Sequence, residues 1–372
     1  MRMKKLLFAT CCIAFLSGSL GAAAQKKSAA KNVLTQTLKG KSWSADNGNG
    51  TFTNPLFYDE FSDPDIIRVG EDYYLAGTTM HSVPGLVVLH SKDLVNWEFS
   101  SYCFDRFDDS DDFNLRNGKE AYGQGIWAPA IRYHNGKFYI FSNINGHGLQ
   151  VYISDSAKGP WTHHKVNGDI YDLSVLFDED GKIYAVHKYG NVTVTELKPD
   201  LSGPVEGSSK VVIPEGNAMG EGHHIYKING MYYILSADYS PMGRMQCARS
   251  KSIWGPYETC VISERESYGY AAGWSVGNMG IGRPLPEDGF KFQNNKPNGL
   301  NLGCATIHQG GIVQAPDGKW WGVSMQDFNA VGRTVCLSPI TWVDGWPYFG
   351  LEKNLGRSPR TWFKPNDMVK TP

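Results

Sequence analysis

Five stretches of the 372-residue chain repeat one pattern, and that pattern restricts the fold more than any other feature. They are DPDIIRVGEDYYLAGT (63–78), WAPAIRYHNGKFYIFSN (127–143), DLSVLFDEDGKIYAVHK (172–188), EGHHIYKINGMYYILSA (221–237) and HQGGIVQAPDGKWWGVS (308–324). Each joins an apolar strand to an aromatic-rich one through a short turn, Gly-Glu-Asp, Asn-Gly or Asp-Gly, whose glycine supplies the positive φ of a tight hairpin. A second element follows four of them: HSKDLVNWE (90–98), ISDSAKGPWT (153–162), ARSKSIWGPYE (248–258) and, more loosely, LSPITWVDGW (337–346). It reads as a strand ending in Ser, a turn, and a strand resuming near Trp. Five such units, in a chain rich in Gly, Tyr and Trp and without helical heptads, predict radial repetition. The expected fold is all-β, a five-bladed β-propeller over 51–365.

The chain opens MRMKKLLFATCCIAFLSGSLGAAAQ, a basic start, an apolar run and a small-residue end. Residues 1–24 read as a cleavable secretory signal, too short to span a membrane, and 25–50 as a lead-in segment. An exported, periplasmic or secreted protein is expected, without membrane insertion after cleavage. Of 36 basic residues the leader holds three, so 33 face 37 acidic ones, a net charge of −4, which argues against a nucleic-acid partner. Nothing in the chain argues for oligomerisation, and a monomer is expected. Cys103, Cys247, Cys260, Cys304 and Cys336 remain after cleavage, an odd number without C-x-x-C spacing; Cys247 and Cys260 could meet across a hairpin. The acidic stretch 104–125 lacks EF-hand spacing. Together with the Gly-rich 268–303 it is expected to form loops at one mouth of the propeller.

Asp63, Trp127, Asp172, Glu221 and His308 open the five inner strands, seven to ten residues before the turn glycine. Equivalent positions in propeller blades face the axis at similar depth, so three carboxylates, a tryptophan and a histidine are expected in one cavity. Burying carboxylates together is costly, and a chemical use is the natural reason to tolerate it. Two carboxylates flanking a sugar are the equipment for cleaving a glycosidic bond, and a third raises the pKa of the acid. Trp127 is the candidate stacking platform for a sugar ring, a core tryptophan being the alternative.

These five ordered motifs, with NPLFYDEFSDPD leading the first, resemble glycoside hydrolase family 43 over about residues 54–350. The resemblance implies five-bladed propellers that cleave arabinosyl and xylosyl linkages by inversion. It assigns Asp63 as general base, Glu221 as general acid and Asp172 as the carboxylate that tunes the acid. It sets His308 at the axis, often beside an ion, commonly calcium; a histidine bonded to ordered water is the alternative. Arg333 matches an arginine that holds the terminal sugar, the alternative being a surface salt bridge. Ser62-Asp63-Pro64-Asp65, Tyr171-Asp172-Leu173 and Glu221-Gly222 depart from the motifs of retaining fructosidases, which favours the inverting branch. Three features depart from the family: Leu173 where proline is usual, few large aromatics in 80–91, and no room after TWFKPND for the C-terminal β-sandwich many members carry. The expected substrate is a plant polysaccharide or oligosaccharide, with no cofactor required. An endo-acting arabinanase or xylanase, and a non-catalytic carbohydrate-binding propeller, are the competing readings.

Overall fold

The computed structural model describes residues 44–80, 83–107, 110–121, 125–217, 219–239, 242–263, 309–327, 333–356 and 361–365. The expected leader, most of the expected lead-in segment, the 268–303 stretch, Cys304 and His308 lie outside them. The five hairpin units become five antiparallel sheets, each running from an inner to an outer strand. β1 (Thr51–Thr53) precedes them. Blade 1 holds β2 (Ser62–Val69), β3 (Asp72–Thr78), β4 (Gly85–Ser91) and β5 (Trp97–Phe104). Blade 2 holds β6 (Ile126–His134), β7 (Lys137–Ile144), β8 (Gly148–Ser154) and β9 (Thr162–Val166). Blade 3 holds β10 (Ser174–Phe177), β11 (Ile183–His187), β12 (Val192–Leu197) and β13 (Lys210–Ile213). Blade 4 holds β14 (Glu221–Ile228), β15 (Met231–Tyr239), β16 (Met242–Ser250) and β17 (Glu258–Val261). Blade 5 holds β18 (Ile312–Gln314), β19 (Trp320–Asp327), β20 (Arg333–Val343), β21 (Trp346–Leu351) and β22 (Asn354–Leu355). β23 (Thr361–Phe363) returns to pair with β1.

The turns form as their residues dictate. Asn135-Gly136 and Asn229-Gly230 have both φ values positive, the geometry that matches strand twist in a two-residue hairpin. The serines ending β4, β8 and β16 are also explained. Ser91, Ser154 and Ser250 each turn the hydroxyl onto the N–H two residues on, starting the next bend. Blade 5 differs from expectation: β20 runs through Ser338 without a break, and its turn is Asp344-Gly345, at φ 50° and 75°.

Sheets pack face to face, so each apolar cluster lies between neighbouring blades. Blades 1 and 2 share Ala76, Val88, Ile131 and Ile140, and blades 4 and 5 share Leu235, Met245, Ile312 and Phe349. Between blades 5 and 1, Trp321 and Val323 meet Ile66 and Leu75, with Phe52 and Leu56 of the entering chain. Buried Asn54 ties that chain to blade 5 as a strand would, its amide spanning both backbone groups of Leu337. Cys247 and Cys260 face each other on β16 and β17 but are not joined. The Cys247 thiol turns to the Ala248 carbonyl and Cys260 lies 3.2 Å from the Tyr348 hydroxyl.

Candidate active site

The inner strands of blades 1, 2 and 4 carry the same bulge near their entrances, two residues opposing one. It falls between Ser62 and Asp65, between Ile126 and Pro129, and between Glu221 and His224. In blade 3 the bond from Lys188 N–H to the Tyr171 carbonyl, with Ser174 paired to Val186, places Asp172 and Leu173 in the same position. The bulge corrects the sequence alignment. The residues equivalent to Asp63 are Trp127, Asp172 and Gly222; Glu221 stands one position earlier, level with Ser62, Ile126 and Tyr171. A bulge re-aims side chains at a strand end, which suits a mouth where several must converge.

The first bulge residue is left-handed in three blades, Asp63 at φ 51°, Asp172 at 52° and Gly222 at 66°. Aspartate tolerates this region better than most residues, yet it still costs on the order of 1 kcal/mol. Strain at two carboxylates in equivalent positions is where a functional constraint is to be sought. At Gly222 a Cβ would stand 2.5 Å from the Gln309 side chain, so both backbone and space require glycine.

Asp63, Asp172 and Glu221 come from blades 1, 3 and 4 and line one pocket with Trp127, Arg333, Tyr171, Met80, Ala128 and Gln309. Asp63 and Asp172 are buried, and Trp127 and Glu221 half-buried. Arg333 opens β20 and donates from Nη1 to Asp63 Oδ1 at 3.2 Å; it is a pocket residue paired with the base candidate, not a surface ion pair. Burial raises the pKa of Asp63, while the Arg333 guanidinium, and then His224, oppose the rise. Asp172 Oδ2 accepts the Gly222 N–H at 2.6 Å. Its carboxyl is pushed up to about 8, first by burial and then by the charges of Glu221 and Asp63, against the Gly222 N–H and Arg333. Glu221 is also raised, by burial first; the Tyr171 hydroxyl, donated to Oε2 at 3.0 Å, opposes this, Asp63 adds to it and Arg333 subtracts. The pocket thus holds a guanidinium-paired carboxylate beside a carboxyl pair poised to keep a proton near neutrality.

One layer below lies a network that the sequence reading passed over. Fully buried Asp65 faces Arg132 of blade 2 and His224 of blade 4, and accepts the backbone N–H of Ile131. Arg132 reaches on to Ser174 of blade 3, whose hydroxyl takes the Ile225 N–H. Four blades are thereby fixed to each other beneath the carboxylates. The available signal was the spacing in SDPD: Asp65 is two residues past Asp63, in a run whose next residues are apolar. Among the described residues no group of three or more His, Cys, Asp or Glu could hold a metal ion. His308 and its expected ion lie outside those residues.

A propeller with three carboxylates and an arginine around one axial pocket has the equipment of a glycoside-cleaving protein. The family described as glycosyl hydrolases family 43 matches residues 52–269. A putative beta-xylosidase of Xylanibacter ruminicola is 32% identical over 347 residues, covering 89% of this chain and 57% of its own. A non-reducing end alpha-L-arabinofuranosidase of Bacteroides ovatus is 34% identical over 316 residues, covering 81% and 54%. Among solved structures, a bifunctional GH43-CE protein of Bacteroides eggerthii matches at a TM-score of 0.69 and 33% identity, over 84% of this chain and 37% of that one. The chain belongs to glycoside hydrolase family 43. It spans little more than half the length of these curated relatives.

Proposed function

We propose that the chain is an inverting exo-glycosidase that removes α-L-arabinofuranosyl or β-D-xylosyl units from plant cell-wall polysaccharide. The observation that carries the reading is the meeting of Asp63, Asp172 and Glu221, from three blades, around one pocket. The names of the relatives, beta-xylosidase and arabinofuranosidase, support a pentosyl substrate. In this reading Asp63, whose ionised form Arg333 favours against the burial that raises it, takes a proton from water as the water oxygen attacks the anomeric carbon. Protonated Glu221 gives its proton to the glycosidic oxygen as the carbon–oxygen bond breaks on the opposite face. Asp172 and Glu221, a carboxyl pair, hold a proton between them until that step, which is how Asp172 tunes the acid. Both proton transfers belong to carboxylates of the chain, so the reading calls for no cofactor. Trp127 supplies a face for the sugar ring. The leader of residues 1–24 fits an enzyme exported to meet a polymer.

The test is hydrolysis of 4-nitrophenyl α-L-arabinofuranoside, 4-nitrophenyl β-D-xylopyranoside and the matching oligosaccharides, with the first-formed anomer read by NMR. Glu221→Gln is expected to lose about 10²–10⁴-fold on oligosaccharides and much less on the aryl glycosides, whose leaving group needs little protonation. Asp63→Asn should lose both. Equal losses in Glu221→Gln would remove the acid role, and a product of retained configuration would remove inversion.

A further inference from the structure

Tyr171 stands in blade 3 where Glu221 stands in blade 4, one residue before the bulge. Its backbone is bracketed by Asn143, which donates from Nδ2 to the Ile170 carbonyl at 2.9 Å and accepts the Asp172 N–H on Oδ1 at 3.1 Å. The Lys188 N–H fixes the Tyr171 carbonyl from the other strand. The ring is thereby aimed across the pocket, and its hydroxyl donates to Glu221 Oε2.

We propose that Tyr171 is a positioning residue for the acid: it occupies Oε2 of Glu221, leaves the transferable proton on Oε1, and steadies the carboxylate as that proton departs. The inference deepens the proposed function and rests on its assignment of Glu221. A neutral carboxylic acid accepts a modest hydrogen bond, whereas a carboxylate accepts a charge-assisted one about twice as strong. The bond therefore tightens as the proton moves to the glycosidic oxygen and the bond from that oxygen to the anomeric carbon breaks. An interaction stronger in the transition state than before it accelerates the step. Tyr171 keeps its own proton throughout, because burial and the carboxylates around it push the phenol far up. The charged groups facing Glu221 are Asp63 from blade 1, Asp172 from blade 3 and Arg333 from blade 5. Against the first two, Tyr171 acts on the same side as Arg333, favouring the ionised acid.

The test is Tyr171→Phe, which removes one oxygen from a ring that is 37% exposed. It is assayed beside the unaltered chain and Glu221→Gln on a poor and a good leaving group. The expected result is a roughly tenfold loss of kcat on oligosaccharide, a smaller loss on the 4-nitrophenyl glycoside and little change in KM. The alkaline limb of the pH profile should move up, since a donor that favours the carboxylate is gone. A ¹³C NMR titration, with the Glu221 signal assigned by its loss in Glu221→Gln, should show the same upward shift without substrate. Equal losses on both substrates with an unmoved limb and titration would make Tyr171 merely structural. If Glu221→Gln is crippled while Tyr171→Phe behaves as the parent, the Tyr171 inference alone falls. If Glu221→Gln keeps full activity on both substrates, the acid assignment falls and Tyr171 with it.

Discussion

Asp172 offers the clearest test of whether the pocket stores unfavourable electrostatic energy. Its carboxyl is 7% exposed and held at about 8, against 3.8 for the free side chain. Between those two values the folded chain keeps a proton that the unfolded chain has released, so raising the pH favours unfolding. The rise from 3.8 to about 8, at ~1.4 kcal/mol per pH unit, sets an upper limit of roughly 6 kcal/mol for the pair Asp172–Glu221, lost between pH 4 and pH 8. Asp172→Asn keeps an oxygen for the Gly222 N–H and has nothing to titrate. The variant should match the parent near pH 4 and exceed it increasingly up to pH 8. At roughly 2 °C per kcal/mol the gap becomes on the order of 10 °C in unfolding midpoint. The assay is a set of thermal unfolding scans from pH 4 to 9 on both chains. Activity should move the opposite way. Below about pH 8 Asp172 is itself neutral, so Asp172→Asn removes a charge from beside Glu221 only above that pH, and only there should Glu221 release its proton earlier and the alkaline limb of the pH profile move down, opposite to the shift expected of Tyr171→Phe. Parallel stability curves, offset by a constant, would refute the argument whatever the activity.

Two further outcomes concern the frame under the site. Arg132→Met strips the cation from an Asp65 that has no solvent exposure, and should cost about 3–5 kcal/mol in urea unfolding, far more than an exposed ion pair. A loss under 1 kcal/mol would show that the network contributes little. Gly310→Ala places a Cβ 2.0 Å from the Val323 carbonyl oxygen, which belongs to backbone and cannot swing aside. A cost of about 1–3 kcal/mol is expected, against a few tenths for an exposed surface substitution, read from the same unfolding curves.

The hairpins were legible because a tight turn is a local problem: Asn-Gly and Asp-Gly solve it wherever they occur, and the strands on either side carry their burial in their composition. The three carboxylates were legible because each heads a repeat. Their depth was not. Counting back from the turn glycine assumes a fixed place for that glycine, but Gly70 is the first turn residue of blade 1 and Gly230 the second of blade 4. Counts of seven for Asp63 and nine for Glu221 differ by two: one comes from the place of the glycine, and the other is a real offset that sets Glu221 one residue before the position of Asp63. The correction has chemical content. Had Glu221 occupied the left-handed bulge position, it would stand where Gly222 now presses on Gln309, with no room for a side chain. One residue earlier, it sits level with Tyr171 of the neighbouring blade, and the two meet at the pocket. Contacts between blades leave no spacing in the chain, which is why Tyr171 and the partners Arg132 and His224 of Asp65 went unread, although the position of Asp65 in SDPD was visible. Glu221 is thus set by two kinds of neighbour, carboxylates that the repeat announces and a phenol that only the packing of the next blade supplies. Opposite pH shifts in Asp172→Asn and Tyr171→Phe would measure the two separately.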